Sequence, residues 1–166
     1  MVTTYRISPL DPERERSGFR CGVEVLDRYF TERVTQDIRR RVTSCFVALD
    51  EQNRVAGFYT LAATSVLLVD LPKVIAKKLP RYPTVPAIRM GRLAVDLGAR
   101  GKGLGAALLA DAFSRSVDSE IAAFALVVDA KDDGATAFYL HHGFLPFASQ
   151  PQSLFLPLAT ALSVRR

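Results

Sequence analysis

Apolar residues at Val23, Leu26, Phe30, Val34 and Ile38 recur at steps of three and four, the spacing of one helix face, with Asp27, Arg28, Glu32 and Arg33 on the outer side. The pattern predicts a helix that starts after Cys21-Gly22 and ends near the run Arg39-Arg40-Arg41. Residues 44–49 and 55–69 are apolar runs separated by a polar turn over 50–54, which reads as a two-stranded hairpin. Pro72, Pro80, Pro83 and Pro86 then bracket a basic excursion over 73–81, in which Val74, Ile75 and Leu79 fit a short helix. A strand over 88–95, a glycine-rich turn over 98–105 and a helix over 104–117 come next, the helix turning Leu104, Leu108, Leu109, Ala112 and Phe113 inwards. The remainder reads as a strand over 123–128, a helix over 134–142 and two strands over 144–147 and 154–158.

This order describes a mixed α/β chain. The strand, helix, strand series from 88 to 128 implies parallel pairing through a right-handed crossover, whereas the early hairpin implies antiparallel pairing. No internal repeat and no low-complexity segment interrupts it. At 166 residues the chain suits one domain spanning residues 1–166.

Composition narrows the class. An apolar fraction of 49% with 23% charged residues is that of a globular protein, and no segment is long and apolar enough to cross a bilayer. The first twenty residues carry acids and a proline where an export signal needs an unbroken apolar stretch, so the expectation is a cytoplasmic protein with no membrane partner. Cys21 and Cys45 stand without a CxxC pair or a nearby histidine ligand, which predicts two buried thiols and no metal site. The net charge of +5 permits a phosphate-bearing partner without requiring one.

The densest chemistry lies in Arg100-Gly101-Lys102-Gly103-Leu104-Gly105-Ala106, three glycines and two cations at the start of a helix. Without a Cβ, glycines let the backbone approach an anion closely, and the unpaired N–H groups and positive dipole end of the helix point at it. This is chemistry for a pyrophosphate; the plain alternative is an ordinary strand-to-helix turn in which Arg100 is a surface cation. A P-loop would need GxxxxGK followed by Ser or Thr, and no such run exists. Gly101 to Ala106 does match the GxGxxA form of a dinucleotide fingerprint, with Asp129 as its ribose acid. Such a turn, however, usually opens its domain, and here ninety-odd residues precede it.

Arg100-x-x-Gly103-x-Gly105 resembles the coenzyme A signature of the GNAT N-acetyltransferase superfamily, and Ala137-Phe138-Tyr139-x-x-x-Gly143-Phe144 resembles its second motif. Phe19-x-Cys21-Gly22-Val23-Glu24-x-Leu26-Asp27, the hairpin and Gly91-Arg92-Leu93-Ala94-Val95-Asp96 look like the TacT-like, tRNA-acetylating toxin group of type II toxin–antitoxin systems. The resemblance implies an α/β GNAT fold, with a mixed, mostly antiparallel sheet splayed at its middle strands and flanked by helices. It also implies acetyl-CoA as co-substrate. Leu93, Ala94 and Val95 would then offer backbone groups to the pantetheine arm and the oxyanion, and Arg100, Gly101, Lys102, Gly103, Leu104, Gly105 and Ala106 would grip the pyrophosphate.

In the reaction implied, a neutral amine attacks the thioester and the coenzyme leaves as a thiolate. The resemblance makes Tyr139 the acid that protonates this thiolate; residue type alone favours a tyrosine packed against Phe138 and Phe144. No general base stands out, and none is needed for an α-amino group with a pKa of about 7.7 to 8.0. His141 and His142, adjacent on one helix, receive no catalytic role.

Basic residues gather at Arg39, Arg40 and Arg41, at Lys73, Lys77, Lys78 and Arg81, and at Arg89 and Arg92. In the toxin group such residues would hold the tRNA backbone, a contact that gives affinity without reading sequence. Arg39, Arg40, Lys77, Lys78, Arg89 and Arg92 are therefore candidate substrate-binding residues, each with a solvated surface as its plain alternative. Arg92, beside the proposed acetyl pocket, is the best placed, unless it pairs with Asp96 or Asp129. The resemblance further implies a ribbon-helix-helix antitoxin and a homodimer, the latter through the apolar segment 154–162 if that is not simply core strand. Two competing readings remain: an acetyltransferase for small or peptide amines, and a non-catalytic binding module.

Overall fold

The computed structural model describes residues 4–161. Its elements are β1 (Arg6–Pro9), α1 (Glu24–Arg28), a π-helical turn (Tyr29–Arg33), α2 (Val34–Arg39), β2 (Ser44–Leu49), β3 (Val55–Leu67), α3 (Lys73–Ala76), β4 (Thr84–Val95), α4 (Leu104–Val117), β5 (Ala125–Asp129), α5 (Asp133–His141), β6 (Leu145–Pro146) and β7 (Ser153–Pro157). The strands form one open seven-stranded sheet in the order β1-β2-β3-β4-β5-β7-β6, the mixed α/β architecture expected from the sequence. β2 and β3 pair antiparallel as the hairpin pattern requires, with Phe46 opposite Tyr59 and Cys45 opposite Thr60. β5 pairs antiparallel with β7, as β1 does with β2 and β6 with β7.

The chain divides into two compact units, Met1–Ala62 with Met90–Ala112, and Ala63–Arg89 with Phe113–Arg166. The first is built around Phe19, Phe30, Phe58, Val34, Val47 and Leu49. Phe30 stacks on Phe58 at 4.3 Å between centroids, and Phe19 meets both edge-on at 5.0 and 5.5 Å, the arrangements aromatic quadrupoles favour. α4 lies close against β3 because position 57 is glycine: a Cβ there would sit 2.9 Å from Leu108 Cδ1 and 3.0 Å from the Ala94 carbonyl oxygen. Cys21 and Cys45 are both buried, as expected.

The second unit packs Val66, Leu71, Val85, Ala87, Ala125, Val127, Phe147 and Phe155 together. α5 is capped by Asp132, whose carboxylate accepts from the Ala135 N–H at 2.8 Å and so satisfies a donor the first turn cannot. After it, Gly143 takes a left-handed φ of 91°, and Phe144 N–H returns to the Tyr139 carbonyl at 3.1 Å.

Several boundaries differ from the pattern. β1 is absent from it, since four residues ending in proline carry too little alternation to read as a strand. β3 ends at Leu67 in a 3-10 turn rather than at Val69. β4 starts at Thr84 rather than at Ile88, running through the last of the bracketing prolines: Pro86 gives up a donor, but its carbonyl accepts from Phe124 N–H at 2.8 Å while Val85 and Ala87 beside it are buried. β6 shrinks to Leu145–Pro146. The first helix is not continuous α-helix, and Asp27, expected on its outer side, is half-buried, its carboxylate accepting from Cys21 N–H at 2.8 Å. Leu162, the end of the late apolar segment, lies outside the described residues.

Candidate active site

In the first unit, β4 runs out at Val95, and Asp96 organises the chain beyond it. Its two carboxylate oxygens accept from Arg20 N–H at 3.0 Å and Gly98 N–H at 2.9 Å, while its own N–H bonds the Ala56 carbonyl at 2.8 Å. A 3-10 turn (Leu97–Ala99) leads into the glycine segment. Gly101 and Gly103 take φ values of 76° and 77°, with open space where a Cβ would be, so backbone conformation and not crowding demands glycine there. Lys102 between them is exposed. α4 then starts, and its first bond from Ala107 N–H to the Gly103 carbonyl leaves the N–H groups of Leu104, Gly105 and Ala106 ahead of the intrahelical ladder. Three orphan donors at the positive end of a fourteen-residue helix form a ready anion site.

Arg100 does something the sequence did not reveal. Its Nη2 donates to the Cys21 carbonyl at 2.6 Å, pinning the glycine segment to the chain that enters α1. Leu93 and Val95 are half-buried on β4 and Ala94 between them is buried in the first unit's core.

Arg92 adopts neither of the alternative pairings weighed against a substrate role. Asp96 is occupied by backbone donors, and Asp129 pairs with Arg89. Arg92 instead lays its guanidinium over the Tyr29 ring, Cζ 3.4 Å from the centroid, and the Tyr29 hydroxyl donates to Asp37 Oδ2 at 2.7 Å. Burial, then the bond to Asp37, raise the Tyr29 pKa well above the usual phenol value. Arg39 and Arg40 sit exposed at the end of α2, where Arg41 adopts a left-handed φ of 62°.

In the second unit, Tyr139 projects from α5 and is 8% exposed, packed against Phe138 and Phe144. Burial and, secondarily, the Asp129 carboxylate push its pKa up to about 12, so the phenol is protonated throughout the physiological range. Asp129 is held between Arg89 and the Ser153 hydroxyl, which donates to it at 2.7 Å. Arg89, a candidate for substrate contact, pairs with Asp129 across a partly exposed surface. Lys77 and Lys78 are exposed just after α3. His142 caps α5 and packs edge-on against Phe138. Among the described residues no cluster of His, Cys, Asp or Glu could hold a metal ion, and no helix is long and apolar enough to cross a membrane.

Residues 12–144 match the Acetyltransferase (GNAT) family, and the chain belongs to that family. It is an N-acetyltransferase, and acetyl-CoA is the donor of its family.

The chain is 37% identical over 158 residues, 94% of its length and 92% of the relative's, to a tRNA-acetylating toxin of Mycobacterium tuberculosis (strain ATCC 25618 / H37Rv). Among solved structures it resembles AtaT complexed with acetyl-methionyl-tRNAfMet, with a TM-score of 0.86 at 28% identity, covering 98% of this chain and 99% of that one. It also resembles AtaTR bound with AcCoA, with a TM-score of 0.80 at 27% identity and 98% coverage of each.

Proposed function

We propose that the chain is a toxin that acetylates the α-amino group of aminoacyl-tRNA and so blocks translation. The observation that carries the coenzyme half is the turn at Gly101 and Gly103, whose left-handed backbone leads into a helix end where the N–H groups of Leu104, Gly105 and Ala106 precede the intrahelical ladder. Those groups, with Lys102, would hold the pyrophosphate. Arg100 would hold the turn in shape through Cys21 rather than touch the phosphate itself. Leu93, Ala94 and Val95 would present backbone groups to the pantetheine arm and the developing oxyanion. The acceptor half rests on similarity to the tRNA-acetylating toxin and to AtaT with its acetylated tRNA.

Tyr139 would return a proton to the coenzyme thiolate. A free alkyl thiol ionises near pH 8.5, far below a phenol at about 12. Desolvation of the kind that raises the phenol, and that raises the buried Cys45 thiol to about 12, would also raise a coenzyme thiol seated beside Tyr139 and bring the two acids closer. The amine needs no protein base, because an α-amino group is partly neutral at cellular pH. Lys77, Lys78, Arg39 and Arg40 would meet the phosphate backbone, in a cytoplasmic enzyme neutralised by a ribbon-helix-helix antitoxin and working as a homodimer.

The test is acetyl transfer from radiolabelled acetyl-CoA to total aminoacylated tRNA, with deacylated tRNA, small amines and peptides alongside. Label confined to charged tRNA is the expected result. Label on small amines or peptides alone would keep the acetyltransferase chemistry and overturn the toxin reading.

A further inference from the structure

Tyr29 does not belong to the apolar stripe that builds the first helix. Residues 26, 30 and 34 already fill that face, and in a regular α-helix a residue next to Phe30 is turned about 100° away from it. The π-helical turn over Tyr29–Arg33 changes this: Tyr29 is 7% exposed and Phe30 fully buried, so two consecutive side chains face inward. The extra width brings the Tyr29 ring flat beneath Arg92, with its hydroxyl anchored on Asp37.

The contact is an asymmetric use of arginine. Its face is spent on the ring, and a phenol donating to a carboxylate gains electron density, which strengthens the attraction of the ring face for a cation. Its edge, where the N–H donors lie, is met by no acceptor among the described residues. Those nitrogens are not sealed in the core, since no buried unpartnered side-chain nitrogen occurs among the described residues. Other arginines are differently employed: Arg16 bonds the Phe30 carbonyl, Arg100 the Cys21 carbonyl, and Arg89 pairs with Asp129. Arg92 keeps an immobilised, open fork of donors one residue before Leu93, and a planar fork fits two oxygens on one centre.

The geometry points to Tyr29 and Asp37 as a positioning pair that presents the Arg92 guanidinium to a phosphodiester at the 3′ end of the acceptor. This deepens the tRNA-acetylating reading and rests on it. Arg92 touches the substrate; Tyr29 and Asp37 act through it, the ring fixing its plane and the carboxylate fixing the ring.

The test compares three acceptors carrying the same amino acid: aminoacyl-tRNA, an aminoacyl-CCA trinucleotide, and aminoacyl-adenosine, which has no phosphodiester. Wild-type enzyme that labels none of them, while labelling a simple amine, sinks the tRNA reading itself. With a wild type that labels them, Arg92→Ala is expected to raise the KM of the tRNA and the trinucleotide by about tenfold or more while leaving the KM of acetyl-CoA and of aminoacyl-adenosine in place. Tyr29→Phe, which keeps the ring and loses the tether, and Asp37→Asn should raise the same two KM values by about threefold, again without effect on aminoacyl-adenosine. Arg92→Lys retains charge without the fork and should recover only part of the loss. An equal penalty on aminoacyl-adenosine, or none on the trinucleotide, overturns the assignment. Tyr29→Phe and Arg92→Lys are mild enough to decide the matter even where Arg92→Ala does not fold.

Discussion

Arg100 Nη2 and the Cys21 carbonyl, 79 positions apart in sequence, meet at 2.6 Å and tie the glycine turn to the entrance of α1. On the proposed coenzyme turn this cation would serve as a brace. Arg100→Lys should lower unfolding free energy by about 1 kcal/mol and raise the KM for acetyl-CoA several-fold with little change in kcat. Chemical denaturation beside steady-state kinetics checks this; an unchanged stability with a raised KM would return Arg100 to direct phosphate contact.

Tyr139→Phe removes one oxygen from a packed ring. The variant should keep its melting temperature and its acetyl-CoA affinity and lose about 10² to 10⁴ in turnover. Calorimetry and single-turnover transfer separate the two effects, and full turnover in the variant would remove Tyr139 from the reaction.

The raised pKa of Tyr139 also shapes the pH profile. The rate should climb as the acceptor amine deprotonates near pH 8 and then stay level through pH 10, where an ordinary tyrosine would ionise. For stability the sign is the opposite of an acid limb. Tyr139 and Cys45 bind their protons more tightly folded than unfolded, so their contribution is whole below pH 9 and drains away from there to about 12. Cys45→Ala should flatten the first part of that alkaline decline in a melting-temperature series.

Lys77 and Lys78 stand exposed after α3. Replacing both with alanine should weaken aminoacyl-tRNA binding, most at low salt, and reduce the slope of log affinity against log salt by roughly 0.7 to 0.9 for each phosphate left unneutralised. Acetyl-CoA binding should be untouched. Filter binding across a salt series reads the slope directly.

Gly57→Ala forces a methyl to within 3.0 Å of the Ala94 carbonyl oxygen, a neighbour that cannot swing aside. A loss of about 1 to 3 kcal/mol is expected by denaturation, with α4 displaced from β3 and acetyl-CoA affinity falling in step.

How far the sequence could be read depended on the range of the interactions involved. α4 was legible to the residue, because a glycine turn fixes its start and Leu104, Leu108 and Ala112 fix its face, all within fourteen positions. The hairpin was equally plain, since Asp50 closes its own turn by accepting from Gln52 and Arg54 N–H groups nearby. β1 was not, because an edge strand of four residues takes its identity from Phe46 to Leu49 opposite, not from its own pattern. Pro86 misled for the same reason: a proline is a break locally and a strand residue once Phe124 arrives to bond its carbonyl. The cations of β4 were the hardest. Arg89 and Arg92 look interchangeable on the strand, and only the arrival of Asp129 beside one and Tyr29 beneath the other tells an ion pair from a stacked, open guanidinium. Tyr29 carried no signal at all, since its inward turn comes from a backbone irregularity that side-chain spacing does not encode.

That irregularity sets up an unusual evolutionary liability. A π-turn holds one residue more than the α-helical turn it replaces, so loss of a single codon between Thr31 and Arg33 would leave a shorter, regular α-helix. Such a deletion would keep an apolar stripe, since Phe30 and Val34 would then stand three apart, yet swing Tyr29 out from under Arg92. On the role proposed for Tyr29, one in-frame step would thus leave a folded enzyme with a weaker hold on its acceptor, and Tyr29–Arg33 is where disarmed copies of this gene should first be sought.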